Sequence, residues 1–171
     1  MIVAASILAL ALGGTLAWAN APDSEPLPAD ARADRVLVDK GDRTLTLLQG
    51  GRPLKTYQVA LGGSPRGHKG EEGDERTPEG AYVLDYRKED SSAYRSLHVS
   101  YPSPADQARA RERGVQPGGF IMVHGITDGL GWVGKLHRLR DWTDGCVAVA
   151  NREMDEIMRA VPDGTPIEIR P

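Results

Sequence analysis

The chain has 171 residues, which is enough for one domain with a buried core. Its net charge is −3 at pH 7, with acidic and basic residues interspersed, so the clustered basic face of a nucleic-acid-binding protein is not expected. Glycine and proline are frequent and aromatic residues are few, a balance typical of short strands joined by many turns.

The N-terminal segment predicts export. Residues 1–21 carry no charged side chain, and their apolar run is followed by Ala17-Trp18-Ala19 and Ala19-Asn20-Ala21. Small residues two apart are what a signal peptidase accepts. Residues 1–21 are therefore predicted to be a signal peptide or an uncleaved N-terminal anchor, which contacts the inner membrane at least transiently. Either interpretation predicts a periplasmic or cell-envelope protein. The next segment, residues 22–34, is rich in Pro, Ala and acids and is predicted to be a linker.

From residue 35 onward the pattern is that of a mostly β domain. Strands are predicted over 35–39, 44–48 and 54–61, joined by glycine-containing turns as a β-meander. A long polar loop, residues 62–80, follows, and loops of this length within a domain are usually functional or mobile. Further strands are predicted at 81–86, 97–101, 120–123 and 167–169.

Two helices are predicted between these strands. Residues 104–113 open with proline and end at a glycine, which is typical of a short, exposed helix. The second helix starts near Asn151, the predicted N-cap. Its apolar residues recur at helical spacing and give it one buried face: Met154, Ile157, Met158 and Val161.

The chain contains a single cysteine, Cys146. An exported protein with structural disulfides would carry an even number of cysteines. Cys146 is therefore a buried apolar residue, an intermolecular link or a reactive thiol. The preceding Gly145 allows the backbone to approach a substrate, and the amides of Gly145 and Cys146 could point at a developing oxyanion.

A reactive thiol needs a base, and His124 is the best placed of the four histidines. It ends the apolar strand 120–123 and is followed by Gly125, so the ring would be held rigidly while the chain turns. The alternative is a core histidine with satisfied hydrogen bonds and no catalytic role.

Taken together, His-Gly after an apolar strand and a later Gly-Cys-Val resemble the L,D-transpeptidase (YkuD-type) catalytic domain family. That family's signature is a His-Gly segment followed by Ser-His-Gly-Cys, an aliphatic residue and Arg. The string here is Thr143-Asp144-Gly145-Cys146-Val147-Ala148. Upstream, Ala60-Leu61-Gly62, the Thr-Pro-Glu-Gly motif within residues 73–82 and Ser100-Tyr101-Pro102 resemble segments of the same domain. The resemblance covers about residues 35–170.

The resemblance implies a fold and a set of roles. The family fold is a mostly β, sandwich-like domain with a few short helices, here residues 35–171. Cys146 matches the nucleophile, His124 the general base, the Gly125 carbonyl the group that orients the imidazole, and the amides of Gly145 and Cys146 the oxyanion hole. The implied substrate is the peptidoglycan stem peptide, cleaved after its third residue through a cysteine acyl-enzyme in cell-wall remodelling.

Two positions depart from the family pattern. Asp144 replaces the motif His, and its negative charge would raise the thiol pKa; Ala148 replaces the motif Arg. The string Asp141 to Cys146 resembles the Asp-Trp-Thr-x-Gly-Cys motif of a YafK-like subgroup, some members of which hydrolyse the link between peptidoglycan and an attached lipoprotein. The acceptor, an amine or water, therefore stays open, and such a lipoprotein is a further candidate partner.

Other residues are predicted to line the substrate site. Lys69 and Arg76 of the polar loop could bind stem-peptide carboxylates, the alternative being solvated loop charges. Trp142 could form a wall of the cleft or pack beneath it, and the same holds for Trp132. The remaining predicted substrate contacts are Tyr101, Thr143 and Asp144.

Two other functions are compatible with parts of the sequence. A zinc peptidase needs three ligands at recognisable spacing, and although His68 and Asp74 could begin such a site, no His-x-x-x-His pair completes it. We therefore expect no metal and no cofactor. A peptidoglycan-binding module with a dead site is the other rival, because Asp144 and Ala148 replace motif residues. Within the enzyme class, an L,D-carboxypeptidase or a peptidoglycan–lipoprotein amidase of the same fold is the alternative to a transpeptidase.

Overall fold

A computed structural model describes residues 14–171. Within this range, eight strands form one sheet: β1 (Arg35–Asp39), β2 (Thr44–Gln49), β3 (Arg52–Gln58), β4 (Gly80–Ser91), β5 (Tyr94–Val99), β6 (Met122–His124), β7 (Val147–Ala148) and β8 (Thr165–Arg170). Residues 14–20 are helical, and two further α-helices, α1 (Pro104–Glu112) and α2 (Asn151–Ala160), and a 3₁₀ segment, η1 (Gly131–Leu139), accompany the sheet. The predicted mostly β fold with a few short helices is confirmed.

The strands form where apolar residues alternate. In β1, Val36 and Val38 are fully buried while their neighbours are not. The parallel partner β8 places Ile167 opposite Val36 and Ile169 opposite Val38, so branched side chains pack across the pair. The predicted β-meander is present as β1, β2 and β3, paired antiparallel in sequence order. Helix α2 covers the core through the predicted face of Met154, Ile157 and Met158.

The sheet curls until its two edges meet. The strand order is β3-β2-β1-β8-β4-β5-β6-β7, so β3 and β7 are the edge strands. The chain leaving β3 nevertheless pairs with β7, since the Ala148 amide donates to the Ala60 carbonyl at 2.8 Å and the Ala60 amide returns a bond of 3.0 Å. A second bridge joins Gly62 to Thr143. This closure leaves no open edge beside Cys146.

Several details of the predicted elements were wrong. Strand β3 spans Arg52–Gln58 rather than 54–61, and β5 spans Tyr94–Val99 rather than 97–101. Strand β6 begins at Met122 rather than at residue 120, because Phe120 adopts φ 55°, which no strand accommodates. Segment η1 lies where no element was predicted. The N-cap of α2 is Ala150 rather than Asn151, and the Glu153 carboxylate accepts the Ala150 N–H at 2.9 Å.

The N-terminal region is described only in part. Residues 1–13, most of the predicted signal peptide or anchor, lie outside the described residues. From residue 14 onward, no helix has both the length and the apolar character needed to cross a membrane. The expected linker 22–34 runs against the domain: Leu27 is buried, and Asp23 forms ion pairs with Lys135 (2.7 Å) and Arg138 (2.6 Å) of η1.

Candidate active site

His124 is held at the end of β6. Its backbone pairs with Ser96 of β5 on one side and Ala148 of β7 on the other, and the side chain is buried. The ring nitrogen Nδ1 lies 2.6 Å from the carbonyl oxygen of Gly125. Burial lowers the pKa of His124, and the bond to Gly125 offsets part of this shift, so the imidazole is favoured in its neutral form.

Cys146 follows a turn fixed by Thr143. The Thr143 hydroxyl donates to the Cys146 carbonyl at 2.8 Å and accepts the Gly145 N–H at 3.2 Å. The turn is anchored to the chain after β3, because the Thr143 amide donates to the Leu61 carbonyl (3.1 Å) and the Thr143 carbonyl accepts the Gly63 N–H (2.9 Å). Cys146, the candidate nucleophile, therefore lies where the two edges of the curled sheet meet.

Gly145 is required by the local geometry. Its φ is 122°, and a Cβ at this position would lie 2.5 Å from the Arg76 carbonyl oxygen. Neither the backbone angle nor the space admits another residue. Because its N–H donates to Thr143, Gly145 would have to exchange that bond to serve as the predicted oxyanion donor.

The sheet register brings Cys146 and His124 together. Val123 pairs with Val147 and His124 with Ala148 in a parallel arrangement, so Cys146 falls opposite Met122. The Met122 N–H accordingly points at Cys146 Sγ, 3.4 Å away, and the thiol lies 3.7 Å from the Phe120 carbonyl. The two residues thus lie on neighbouring strands, two positions apart along the pair.

The surroundings of Cys146 favour the protonated thiol. Burial raises the pKa of the Cys146 thiol, and the negative charge of Asp144 raises it further. The Met122 N–H and the ammonium of Lys69 act in the opposite direction but do not cancel the increase. Asp144 itself is exposed, so solvent screens its charge and its effect on the thiol is smaller than that of burial.

Backbone strain is concentrated around this turn. In residues 14–171, four non-glycine residues have positive φ: Arg43, Glu75, Tyr94 and Phe120. The Phe120 carbonyl faces the thiol, and the Tyr94 side chain packs on Gly125. The Glu75 carbonyl lies against Gly62, which itself packs on Gly145. Strained backbone of this kind persists only where surrounding contacts hold it, and it clusters at functional sites.

Lys69 and Arg76, both predicted in the polar loop, differ in environment. Lys69 is buried and donates to the Asp74 carboxylate at 2.8 Å, so its alternative interpretation as a solvated charge was wrong. Arg76 is exposed, and its backbone N–H donates to Asp74 at 3.0 Å. The loop is ordered around Asp74, whose carboxylate also accepts the Gly70 N–H.

Two aromatic residues predicted to contact substrate lie mainly inside the domain. Tyr101 is buried, and its hydroxyl donates to the carbonyls of Lys69 (3.3 Å) and Pro117 (3.0 Å). Trp142 packs edge-on against the His124 ring, with centroids 5.9 Å apart, and against His137. Of its two interpretations, the structure favours packing beneath the site. Trp132, in contrast, is exposed on η1.

Two residues without a predicted role support the site. Asp141 accepts the Leu61 N–H at 2.9 Å and forms an ion pair with Arg43 at 2.8 Å. These contacts hold the segment before Cys146 against the chain that follows β3. The Asn151 side chain accepts the Ile126 N–H at 2.7 Å and so fixes the turn after His124. Asp141 is part of the Asp-Trp-Thr-x-Gly-Cys string, so its motif membership could have indicated a role at the site. The sequence indicated only helix capping for Asn151.

The described part of the chain offers no cluster of three His, Cys, Asp or Glu side chains arranged to hold a metal ion.

Sequence comparison relates the chain to L,D-transpeptidases. The sequence model of the L,D-transpeptidase catalytic domain, YkuD, matches residues 33–169. A protein of Escherichia coli (strain K12) named "Putative L,D-transpeptidase YafK" is 26% identical over 132 residues, which cover 74% of this chain and 46% of that protein. The chain thus spans about half the length of the curated relatives it matches.

Solved structures share the fold. The helical cell shape determining protein Pgp2 from Campylobacter jejuni superposes with a TM-score of 0.63 at 24% identity, covering 92% of this chain and 54% of Pgp2. Bd1075 of Bdellovibrio bacteriovorus gives a TM-score of 0.56 at 24% identity, covering 85% of this chain and 53% of its own. At these identities the likeness is one of fold.

Proposed function

Because the chain belongs to the L,D-transpeptidase (YkuD) catalytic domain family, we propose that it is a peptidoglycan-modifying enzyme that forms a cysteine acyl-enzyme with the stem peptide. The observation that carries the proposal is the pairing of β6 with β7, which sets Cys146 beside the strand that ends in His124. A thiol and a base held on rigid neighbouring strands are the two groups that acyl transfer requires.

The first half of the reaction would form the acyl-enzyme. His124 accepts the thiol proton at Nε2 while Cys146 Sγ attacks the carbonyl carbon of the third stem residue. The resulting tetrahedral oxyanion would be stabilised by the Cys146 amide and by the Gly145 amide once it releases Thr143. Collapse of the intermediate breaks the C–N bond, and the protonated His124 gives its proton to the departing amine, which leaves as D-Ala.

The second half of the reaction would cleave the thioester and regenerate the free thiol. An acceptor amine of a neighbouring stem, or water, loses a proton to His124 and attacks the thioester carbonyl. The C–S bond then breaks, and Sγ recovers its proton from the imidazole. Amine attack gives transpeptidation and water gives carboxypeptidation, so one site supports both outcomes. A peptidoglycan-attached lipoprotein would be a further substrate if its linkage to the stem is cut.

Intact-protein mass spectrometry tests the covalent step. Incubation with a stem tetrapeptide or a carbapenem should add one acyl group to the wild-type protein and none to Cys146→Ala. A Cys146→Ser variant is the matched control for folding, since it keeps a side chain of similar size. An adduct that survives in Cys146→Ala, or no adduct with either reagent in the wild type, contradicts the proposal and favours the binding-module alternative.

Digestion of purified sacculi decides between the acceptors. New crosslinks between third-position residues indicate transpeptidation, loss of D-Ala alone indicates hydrolysis, and release of bound lipoprotein indicates the amidase role. All three products should disappear with Cys146→Ala.

We also propose that the protein works in the cell envelope, where this substrate lies. The support is the uncharged, apolar start of the sequence and its two small-residue strings before residue 22. Fractionation of cells with detection of the mature N-terminus tests this point, and an uncleaved protein found only in the cytoplasmic fraction would contradict it.

A further inference from the structure

A charged cavity lies beside the nucleophile turn. Its volume is about 330 Å³, and it is enclosed by the polar loop and the exposed arginines of α1 and the following turn. Four permanent cations and three carboxylates line it: Lys69, Arg76, Arg109, Arg113, Glu71, Asp74 and Asp106. The permanent charges of the lining therefore sum to a positive value, which suits an anionic ligand.

Each carboxylate of the cavity already has a cationic partner. Asp74 accepts from buried Lys69 at 2.8 Å, Glu71 pairs with Arg113 at 3.1 Å, and Asp106 pairs with Arg109. Although burial would raise the pKa of Asp74, hydrogen bonds from Lys69 and from backbone amides hold it below the usual range. Each of the three carboxylates is therefore already engaged by a cation of the protein.

Of the four cations that line this cavity, Arg76 is the one without a carboxylate partner among the described residues. Within residues 14–171, no carboxylate, carbonyl or hydroxyl oxygen accepts a hydrogen bond from its guanidinium, and the residue is exposed. The backbone at Arg76 is well fixed, because its N–H donates to Asp74 at 3.0 Å and its carbonyl packs against Gly145. A guanidinium that has no partner in the protein and is carried on a fixed backbone is suited to binding an incoming anion.

The position of Arg76 relates the cavity to the reaction. Its carbonyl oxygen would lie 2.5 Å from a Cβ placed on Gly145, the residue before Cys146. Lys69 of the same cavity opposes the rise in the pKa of the Cys146 thiol that burial and Asp144 cause. The cavity lined by Arg76 is therefore joined to the turn before Cys146 through the Arg76 backbone.

We propose that Arg76 binds a free carboxylate of the donor stem peptide next to the scissile bond and makes the enzyme select acidic stems over amidated ones. This inference rests on the proposed function. A carboxylate is the expected ligand because the guanidinium fork matches its two oxygens in a bidentate pair, which a carboxamide cannot form. In a stem tetrapeptide whose third residue is a diamino diacid, two carboxylates lie near the bond: that of the third residue's side chain and that of the C-terminus.

Kinetics on three synthetic tetrapeptides with a diamino diacid at position three test the selection. One has both carboxylates free, one is amidated on the third residue's side chain, and one is amidated at the C-terminus. The wild type should favour the free form in kcat/KM by about 10- to 100-fold over one of the amidated forms, the range expected for a charged hydrogen-bonded pair. The disfavoured peptide identifies the carboxylate that is bound.

The variants make the assignment specific to Arg76. Arg76→Gln should lower kcat/KM on the free peptide by a similar factor, mainly through KM, and should not discriminate against amidation. Arg76→Lys should recover part of the preference. Arg66→Gln is the matched control, since Arg66 is an exposed arginine of the same loop that lines a different cavity. A preference retained in Arg76→Gln, or absent from the wild type, overturns the inference.

Calorimetric binding of the same peptides to Cys146→Ala separates this inference from the proposed reaction. Carboxylate-dependent binding that is lost on adding Arg76→Gln supports the subsite even if no turnover is found, in which case only the acyl-enzyme proposal fails. Turnover without carboxylate-dependent binding has the opposite meaning: the reaction stands and the role of Arg76 is overturned.

Discussion

The carbonyl oxygen of Gly125 lies 2.6 Å from Nδ1 of His124. Since a carbonyl can only accept a hydrogen bond, Nδ1 carries a proton and Nε2 of the neutral ring is left as the acceptor. Burial lowers the pKa of His124 and raises the pKa of the Cys146 thiol, so the resting pair consists of neutral imidazole and neutral thiol. The proton would move during attack rather than before it.

The neutral pair predicts the pH dependence of the reaction. The base form of His124 is required, and its lowered pKa keeps that form present below pH 6.5, the ordinary imidazole value. We therefore expect the acid limb of kcat/KM on a stem tetrapeptide to lie below pH 6.5. The rate of Cys146 alkylation by iodoacetamide should keep rising with pH past 9.0, the ordinary thiol value. An alkylation rate that is already constant at neutral pH would reveal a preformed thiolate–imidazolium pair instead.

Removing the charge of Asp144 should make the thiol more reactive. Asp144 raises the pKa of Cys146, so Asp144→Asn should increase the thiolate fraction and speed alkylation at pH 7. Because Asp144 is exposed, we expect only about a twofold effect, as for other screened charges. High salt should shrink the difference.

Asp90→Asn is the matched control, since Asp90 is an exposed acid on the hairpin of β4 and β5 and its removal changes the net charge equally. Equal acceleration in both variants would show that net charge, and not the position next to the cysteine, is responsible.

A side chain at position 145 should disrupt the site more than a side chain at another glycine of positive φ that lies in open space. Gly145→Ala places a Cβ 2.5 Å from the Arg76 carbonyl in a backbone of φ 122°. Gly164→Ala faces a positive φ of 87° but open space. We expect Gly164→Ala to cost about 1 kcal/mol of unfolding free energy and Gly145→Ala about 2–4 kcal/mol, because overpacking adds to strain.

Denaturant unfolding of both variants gives these free energies, and iodoacetamide labelling of Cys146 reports the local geometry. Gly145→Ala should slow labelling, whereas Gly164→Ala should label like the wild type. Equal losses of stability with unchanged labelling would mean that the loop at Arg76 can move away from the turn.

The sequence predicted the parts of the fold that depend on local patterns. Alternation in residues 35–39 and the helical spacing of Met154, Ile157 and Met158 each place apolar side chains on one face, and both elements formed as expected. The motif predicted that Cys146 and His124 act as a pair, and the strand register places Cys146 opposite Met122, two residues before His124. Their catalytic roles stay predictions.

What the sequence did not reveal depends on contacts between distant residues. The bridge between Ala60 and Ala148 closes the sheet, yet it joins positions far apart in the chain that carry no pairing signal. The burial of Lys69 likewise depends on Asp74 and on the fold of the polar loop, because a lysine in a polar segment is normally solvated. Strand β6 begins later than predicted because Phe120 has a positive φ.

Thr143, predicted as a substrate contact, should instead act by positioning Cys146. Its hydroxyl donates to the Cys146 carbonyl at 2.8 Å and accepts the Gly145 N–H at 3.2 Å, so Thr143→Val leaves two backbone groups without partners at nearly constant volume. We expect a loss of about 1–3 kcal/mol in unfolding free energy. Thr143→Ser keeps the hydroxyl and should lose no more than about 1 kcal/mol, mostly for one buried methyl group.

Kinetics distinguish positioning from substrate binding at this residue. If Thr143 only orients the nucleophile, Thr143→Val lowers kcat and the Cys146 alkylation rate together while KM stays near the wild-type value, and Thr143→Ser restores both. Since alkylation by iodoacetamide involves no stem peptide, a slower rate cannot come from a lost substrate contact. A rise in KM with unchanged alkylation would instead return Thr143 to the substrate-binding role, because it would mean that the hydroxyl is free to leave the turn when the peptide binds.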